Sequence, residues 1–208
     1  MSPTRQERKE SITKMREQQI LDAALKVFSG KGFAEATTTE IAQEAGVAEG
    51  TIYNYYRSKR ELLIAVVKTF IMTESFLNIF EQAGETDYPT FLTAVMNNRM
   101  DFIGDTEKSR LLLLMSEILR DPELRAIYDR QVIKPVMNQM EKYLEIKAVK
   151  GDFRSVNTGV VTRALGGMVL GMLLLTLLEG ESSPLKSMPR QNLAAEMVQL
   201  VMKGIQQH

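Results

Sequence analysis

Apolar residues recur at three- and four-residue intervals along nearly the whole chain, and no run alternates convincingly at period two. That spacing gathers an apolar stripe on a helix and would scatter it over both faces of a strand, so the chain is confined to an all-α fold. The punctuation agrees. Ile20, Ala24, Val27 and Phe28 form one stripe that stops at Gly30-Lys31-Gly32, a C-terminal glycine signal. Thr37-Thr38-Thr39-Glu40 is a capping box that opens a helix through Ala45, and Gly46 permits a sharp turn after it. A second box, Ser58-Lys59-Arg60-Glu61, predicts one long helix carrying Leu62, Val66 and Phe70 and running to about residue 82. After a break at 84–89, Pro89, Pro122 and Pro189 stand where first helical turns accept proline. Pro135 falls inside a helical pattern of about 122–147 and predicts a kink or break. A polar loop at 150–155 and helices over about 156–179 and 190–206 complete the expectation.

Composition narrows the function classes. The 208 residues are 44% hydrophobic and 25% charged, enough to bury a core. No cysteine is present, which excludes disulfides and thiolate metal sites and fits a reducing cytosol. The segment MSPTRQERKESITKM lacks the apolar stretch of a secretory signal. The most hydrophobic run, Ala164 to Leu178, contains Gly166, Gly167 and Gly171 and is shorter than the ~18–20 apolar residues that span a bilayer, so a buried helix is expected. The single histidine is His208 at the end of the sequence, and the carboxylates show no metal-like cluster. An enzyme, a catalytic residue, a metal site or a cofactor is therefore not expected.

Residues 36–62, ATTTEIAQEAGVAEGTIYNYYRSKREL, place two short helices around a glycine turn, with the motif itself at 37–56. Ile41, Ala42, Ala45, Val47 and Ile52 would fix the crossing of the two helices. Gly50 and Thr51 open the second helix, and Tyr53, Asn54 and Tyr55 cover a wide arc of it. Tyr hydroxyls suit phosphates, Asn can contact adenine bidentately, and Lys59 at the next helix start would reach a phosphate. Tyr56 reads as a core aromatic. Any one Tyr or Asn on a helix is ordinarily a surface or packing residue, and capping boxes occur in helices of every function. The spacing of the set is what points to a helix that enters a major groove. Net charge is zero, so binding to DNA would rest on a focused patch: Arg57, Lys59 and Arg60, supported by an arm with Arg5, Arg8, Lys9, Lys14 and Arg16.

Residues 20–62 closely resemble the N-terminal domain of the TetR (tetracycline-repressor-like) family of bacterial transcription regulators. The likeness is carried by Ile20-Leu21-Ala23-Ala24, Phe28, Gly32-Phe33, Thr37, Ile41-Ala42, Ala45-Gly46-Val47, Gly50-Thr51, Tyr53, Tyr56, Lys59 and Leu62, in order and without gaps. It covers about a fifth of the chain. The resemblance implies DNA contacts from Thr37, Thr38, Thr39, Thr51, Tyr53, Asn54, Tyr55 and Lys59, with Phe33 and Tyr56 packing the module. It implies a three-helix helix-turn-helix domain at 14–74 and a C-terminal helical ligand-binding and dimerisation domain at 75–208. It further implies a homodimer that binds palindromic double-stranded DNA, answers a small-molecule effector, and works in the bacterial cytoplasm, on the nucleoid when bound. Ala48 departs from the pattern, because Ser often caps the recognition helix there.

The chain holds thirteen methionines. Flexible, polarizable Met side chains can line a pocket for varied apolar ligands, although any one of them is more often core filler. The candidate lining is Met72, Phe76, Phe80, Met96, Met100, Met115, Met137, Met168 and Met172. Gly166 to Leu175 is apolar around most of its circumference. A helix without a polar face needs cover on all sides, which a second subunit supplies if one side already meets the core. Gly167, Gly171, Leu174 and Leu178 are the candidate dimer interface. A ligand-responsive regulator, usually a repressor, is thus expected; an architectural DNA-binding protein without ligand response and a membrane-associated protein using 164–178 are the competing readings.

Overall fold

The computed structural model describes residues 4–83, 86–100, 114–149 and 156–205, and these are helical with no strand among them. The expected loop at 150–155, part of the 84–89 break, residue 206 at the end of the last expected helix and His208 lie outside the described residues. The chain divides into two compact units, one of residues 1–70 and 113–129, the other of 71–112 and 130–208. The division falls four residues earlier than the sequence places it and returns a later segment to the first unit.

In the first unit, α1 spans Arg5–Lys31, and Thr4 and Glu7 close a capping box at its start. The basic arm is therefore the exposed front of a 27-residue helix. It escapes sequence detection because no stripe precedes Ile20, where burial begins. At the other end the Gly32 N–H donates to Phe28 O at 3.0 Å with φ +84°, a conformation that glycine adopts without strain. α2 (Thr38–Glu44) opens on the predicted box, with Thr37 and Glu40 each satisfying the other's backbone N–H. Gly46, φ +65°, turns the chain into α3 (Glu49–Tyr55). Ile41, Ala42 and Ile52 are fully buried at this junction, while Ala45 and Val47 are half-buried.

α4 runs over Lys59–Ile71 and buries Leu62, Leu63, Ile64, Val66 and Val67. Its start differs slightly from the expected box: Ser58 Oγ accepts from Glu61 N–H, but the Glu61 carboxylate accepts from Arg57 N–H at 2.8 Å. Helical residues 114–120 (α7) and α8 (Pro122–Tyr128) also belong to this unit. Asp121 joins them to α4. One of its oxygens accepts from the N–H groups of Glu123 and Leu124, capping α8, and the other accepts from Arg60 Nε at 2.7 Å.

The second unit contains α5 (Glu74–Glu81), α6 (Tyr88–Met100), α9 (Lys134–Val149), α10 (Thr158–Glu179), the short α11 (Pro184–Ser187) and α12 (Arg190–Ile205). The single helix expected to reach residue 82 is in fact two. Thr73 takes extended φ/ψ and its hydroxyl accepts from Phe76 N–H at 3.2 Å, so it starts α5 as an N-cap two residues beyond Ile71. The Pro135 expectation resolves as a π-helical turn over Asp129–Ile133 ahead of α9. A proline lacks the N–H for the carbonyl four residues back and its ring crowds that carbonyl; the wider turn relieves both. The core gathers Phe76, Phe91, Leu92, Met96, Leu144 and Met197, with the Phe91 and Tyr143 rings stacked at 3.8 Å. Lys147, only 6% exposed, donates to Thr86 O at 2.7 Å and so ties α9 to the turn before α6.

Candidate nucleic-acid interface

The exposed surface of α2 and α3 is organised by a carboxylate. Glu49 opens α3, and its two oxygens accept from Thr38 Oγ1 at 2.6 Å and Thr39 Oγ1 at 2.9 Å. Those two bonds, Thr38 first, hold its carboxyl below the usual carboxylate range. The Tyr53 hydroxyl lies 3.1 Å from the same Thr38 oxygen, with its ring 51% exposed. Three of the expected contact residues, Thr38, Thr39 and Tyr53, thus form one network around Glu49. A Glu in the first turn of a helix is ordinarily a partner of the helix dipole, so nothing local marks it.

Asn54 is exposed, and Thr51 and Tyr55 are half-buried. The Tyr55 ring leans on Tyr56 at 6.4 Å. Tyr56 is buried as expected; its hydroxyl donates to Glu17 of α1 at 3.3 Å, and burial raises its pKa. Thr37 is spent on the α2 cap, through its hydroxyl and its backbone N–H. Ala48 provides no side-chain cap for α3. A hydroxyl there is worth about 1 kcal/mol of helix stability.

Lys59 requires a correction. Its ammonium donates to Phe33 O (2.8 Å), Ala34 O (3.2 Å) and Ala36 O (2.8 Å) and lies 4.6 Å from the Phe33 ring centroid. Burial lowers its pKa. All three protons close the loop between α1 and α2, leaving none for a phosphate in this arrangement. Arg60 is likewise committed, to Asp121 and to Glu123 at 3.5 Å. Of the 51–60 cluster, Arg57 keeps an exposed side chain, and Arg5, Arg8, Lys9 and Lys14 stand exposed along α1.

Six of the nine candidate pocket residues gather at the core of the second unit. Met96, Met100 and Phe76 are buried in the core, and Phe80, Met168 and Met172 pack against it. Met137 reaches Gly166, with its Cε 3.6 Å from where a Cβ would stand. Met72 is half-buried outside that cluster, and Met115 belongs to the first unit. A cleft of about 530 Å³ opens beside Ile79, Ala94 and Asn97, and its described lining includes none of the nine.

α10 turns Thr162, Leu165 and Thr176 inward against its own unit. Val160, Leu170, Leu174, Leu175 and Leu178 remain exposed, Leu178 at 73%, and Leu200 of α12 adds 64%. A Cβ built on Gly167 or Gly171 meets nothing within 4 Å. Contrary to the expected shortfall in length, Thr158–Ser182 is long and apolar enough by composition to cross a bilayer. Its inward-facing side packs against α9 and α6. Among the described residues no group of His, Cys, Asp or Glu could hold a metal ion.

Comparison with known proteins agrees with this geometry. Residues 20–66 match the family described as bacterial regulatory proteins, tetR family, and residues 90–204 match the AefR-like transcriptional repressor, C-terminal domain. The fatty acid metabolism regulator protein of Bacillus subtilis is 44% identical over 50 residues, 24% of this chain and 26% of that protein. With other curated relatives the match takes in 19% to 79% of the relative's own length. The structure of the fatty acid degradation regulator FadR from Bacillus halodurans superposes with a TM-score of 0.73 at 26% identity, over 91% of this chain and 95% of that one. SmeT, the repressor of the Stenotrophomonas maltophilia multidrug efflux pump SmeDEF, does so with a TM-score of 0.66 at 27% identity, over 91% and 89%.

Proposed function

The chain belongs to the TetR family of bacterial transcription regulators, and we propose that it is a homodimeric repressor that a small apolar or amphipathic ligand releases from a palindromic operator. The observation that carries the DNA reading is the outward presentation of Tyr53 and Asn54 on α3, beside the Thr38–Thr39–Glu49 network. Seated in a major groove, Asn54 offers a carboxamide that pairs bidentately with adenine, while Tyr53, Tyr55 and Thr51 hydroxyls are of the kind that fix the backbone. Arg57 and the exposed basic residues of α1 supply the charge that attracts DNA.

The exposed apolar stripe of α10 supports the dimer. Leu170, Leu174 and Leu178 recur every four residues on one side of it, and the open space above Gly167 and Gly171 admits a neighbouring helix closely. Two copies then carry two recognition helices to successive turns of the duplex, about 34–36 Å apart. The cytoplasm is the compartment in which such a protein meets its operator, and the nucleoid is where it resides when bound.

Selection of bound fragments from a random duplex pool tests this reading. An inverted repeat is expected, and Asn54→Ala should lose about 1–3 kcal/mol of discrimination at one base pair per half-site. Recovery of fragments with no shared sequence would instead favour an architectural protein.

A further inference from the structure

Glu49 is the only acid of α3 and stands one turn ahead of Tyr53, so the two side chains share a face of the helix. The residue is half-buried, and its two oxygens accept from Thr38 Oγ1 at 2.6 Å and Thr39 Oγ1 at 2.9 Å. A hydroxyl has one proton, and that of Thr38 is spent on the acid. In the 3.1 Å contact between Thr38 and Tyr53 the Tyr53 hydroxyl is therefore the donor. The hydrogen bonds run one way, from Tyr53 to Thr38 to Glu49, and Thr39 enters on the other oxygen.

This chain orients the carboxylate without saturating it. An ionised carboxyl group has about four lone-pair sites and no proton to give. The two threonines take one site on each oxygen, which leaves each oxygen able to accept from a donor outside the protein. In a major groove the bases differ in what they offer such a group. Cytosine presents its N4 amino donor. Adenine presents the N6 donor with the N7 acceptor beside it, while guanine and thymine present acceptors at O6, N7 and O4. A fixed group that can only accept is attracted by the first, partly opposed by the second and repelled by the last two.

We propose that Glu49 reads a cytosine in each half-site by accepting a hydrogen bond from its N4 amino group, and that Thr38 and Thr39 are positioning residues that hold the carboxylate for it. The proposal rests on the DNA reading above, which supplies the groove. It also changes the part of the two threonines, which the family resemblance implies as direct DNA contacts.

Selection from a random duplex pool by the full chain, repeated with Glu49→Gln, Glu49→Ala and Thr39→Val, tests it, and thermal melts report whether each variant is folded. The wild-type chain should prefer cytosine over any other base by about tenfold at one position per half-site. Glu49→Ala should prefer no base there while the rest of the selected sequence persists. Glu49→Gln should move the preference to adenine, because a carboxamide accepts from N6 and donates to N7. Thr39→Val should lower the cytosine preference about threefold without changing the base chosen, an effect that bracing of the turn alone would not produce. Replacing the selected cytosine by 2-pyrimidinone, which lacks the amino group, should weaken wild-type binding about tenfold and leave Glu49→Ala binding unchanged. The proposal is overturned if folded Glu49→Ala still prefers cytosine, or if 2-pyrimidinone costs the wild-type chain and that variant the same factor. An unchanged preference in folded Thr39→Val would remove the positioning role. An inverted repeat in which no position responds to Glu49 would refute the proposal and leave the DNA reading standing; a pool with no shared sequence would refute both.

Discussion

Glu49 places a negative charge on the proposed DNA-facing surface, and it occupies the hydroxyl protons of Thr38 and Thr39. The two threonines can donate to DNA only by leaving the acid, so Glu49 opposes unspecific contact. One unit charge near a phosphate in water is worth somewhat under 1 kcal/mol at several ångströms. Glu49→Ala should accordingly tighten binding to random-sequence duplex by about twofold to fivefold in a fluorescence anisotropy titration; weaker binding would mean that the acid only braces the turn. Lys59→Met should behave in the opposite way. It removes three hydrogen bonds from a half-buried ammonium, so unfolding free energy should fall by about 2–3 kcal/mol while the salt dependence of DNA binding stays the same. A salt slope reduced by about one unit with stability intact would restore Lys59 to the phosphates. Glu40 gives a pH signature: Lys31 first, then Thr37, lower its pKa from 4.5 to about 2. Its folded pKa lies below the unfolded one, so its contribution is complete above about pH 4.5 and is lost as pH falls toward 2. Glu40→Gln should flatten that part of the denaturant-midpoint profile. The Thr37–Glu40 box was legible because its partners are three residues apart. Lys59 with Phe33, and Arg60 with Asp121 sixty-one residues away, were not, because only the tertiary fold brings them together.

At the scale of elements, α10 tests the dimer. Among the described residues, nothing beyond the helix's own backbone stands within 4 Å of a Cβ on Gly171, so one chain tolerates a side chain there. Gly171→Arg would press an unpaired charge into the proposed contact, costing several kcal/mol. Sedimentation should show a folded monomer for that variant and a dimer for the wild-type chain at micromolar concentration; a dimer in both would remove α10 from the interface. The apolar character of α10 was readable in its sequence, since it needs no knowledge of neighbours. The end of α4 was not. Apolar spacing continues past Ile71 into Phe76, and the stop depends on one Thr73 hydroxyl, a group equally at home inside a helix. Pro135 announced a disturbance, yet its form as a π-helical turn comes from the packing around it.

For the molecule as a whole, 26 basic and 26 acidic residues cancel, so long-range attraction to DNA is weak, and in the proposed dimer affinity would come from two aligned reading heads. The all-α fold and the DNA-reading module were both accessible from periodicity and punctuation, because helix-turn-helix geometry is encoded within some forty residues. The packing of α5 and α12 on α6 was not accessible, since these helices come from distant parts of the chain. The most direct test of the central claim is a hydroxyl-radical footprint on the selected duplex, together with the mass of the complex. Two chains on one duplex, protecting two half-sites centred about 10 base pairs or a multiple of that apart on one face of the helix, are expected. A single protected site occupied by one chain, or unphased protection that lengthens with protein concentration, would contradict the account.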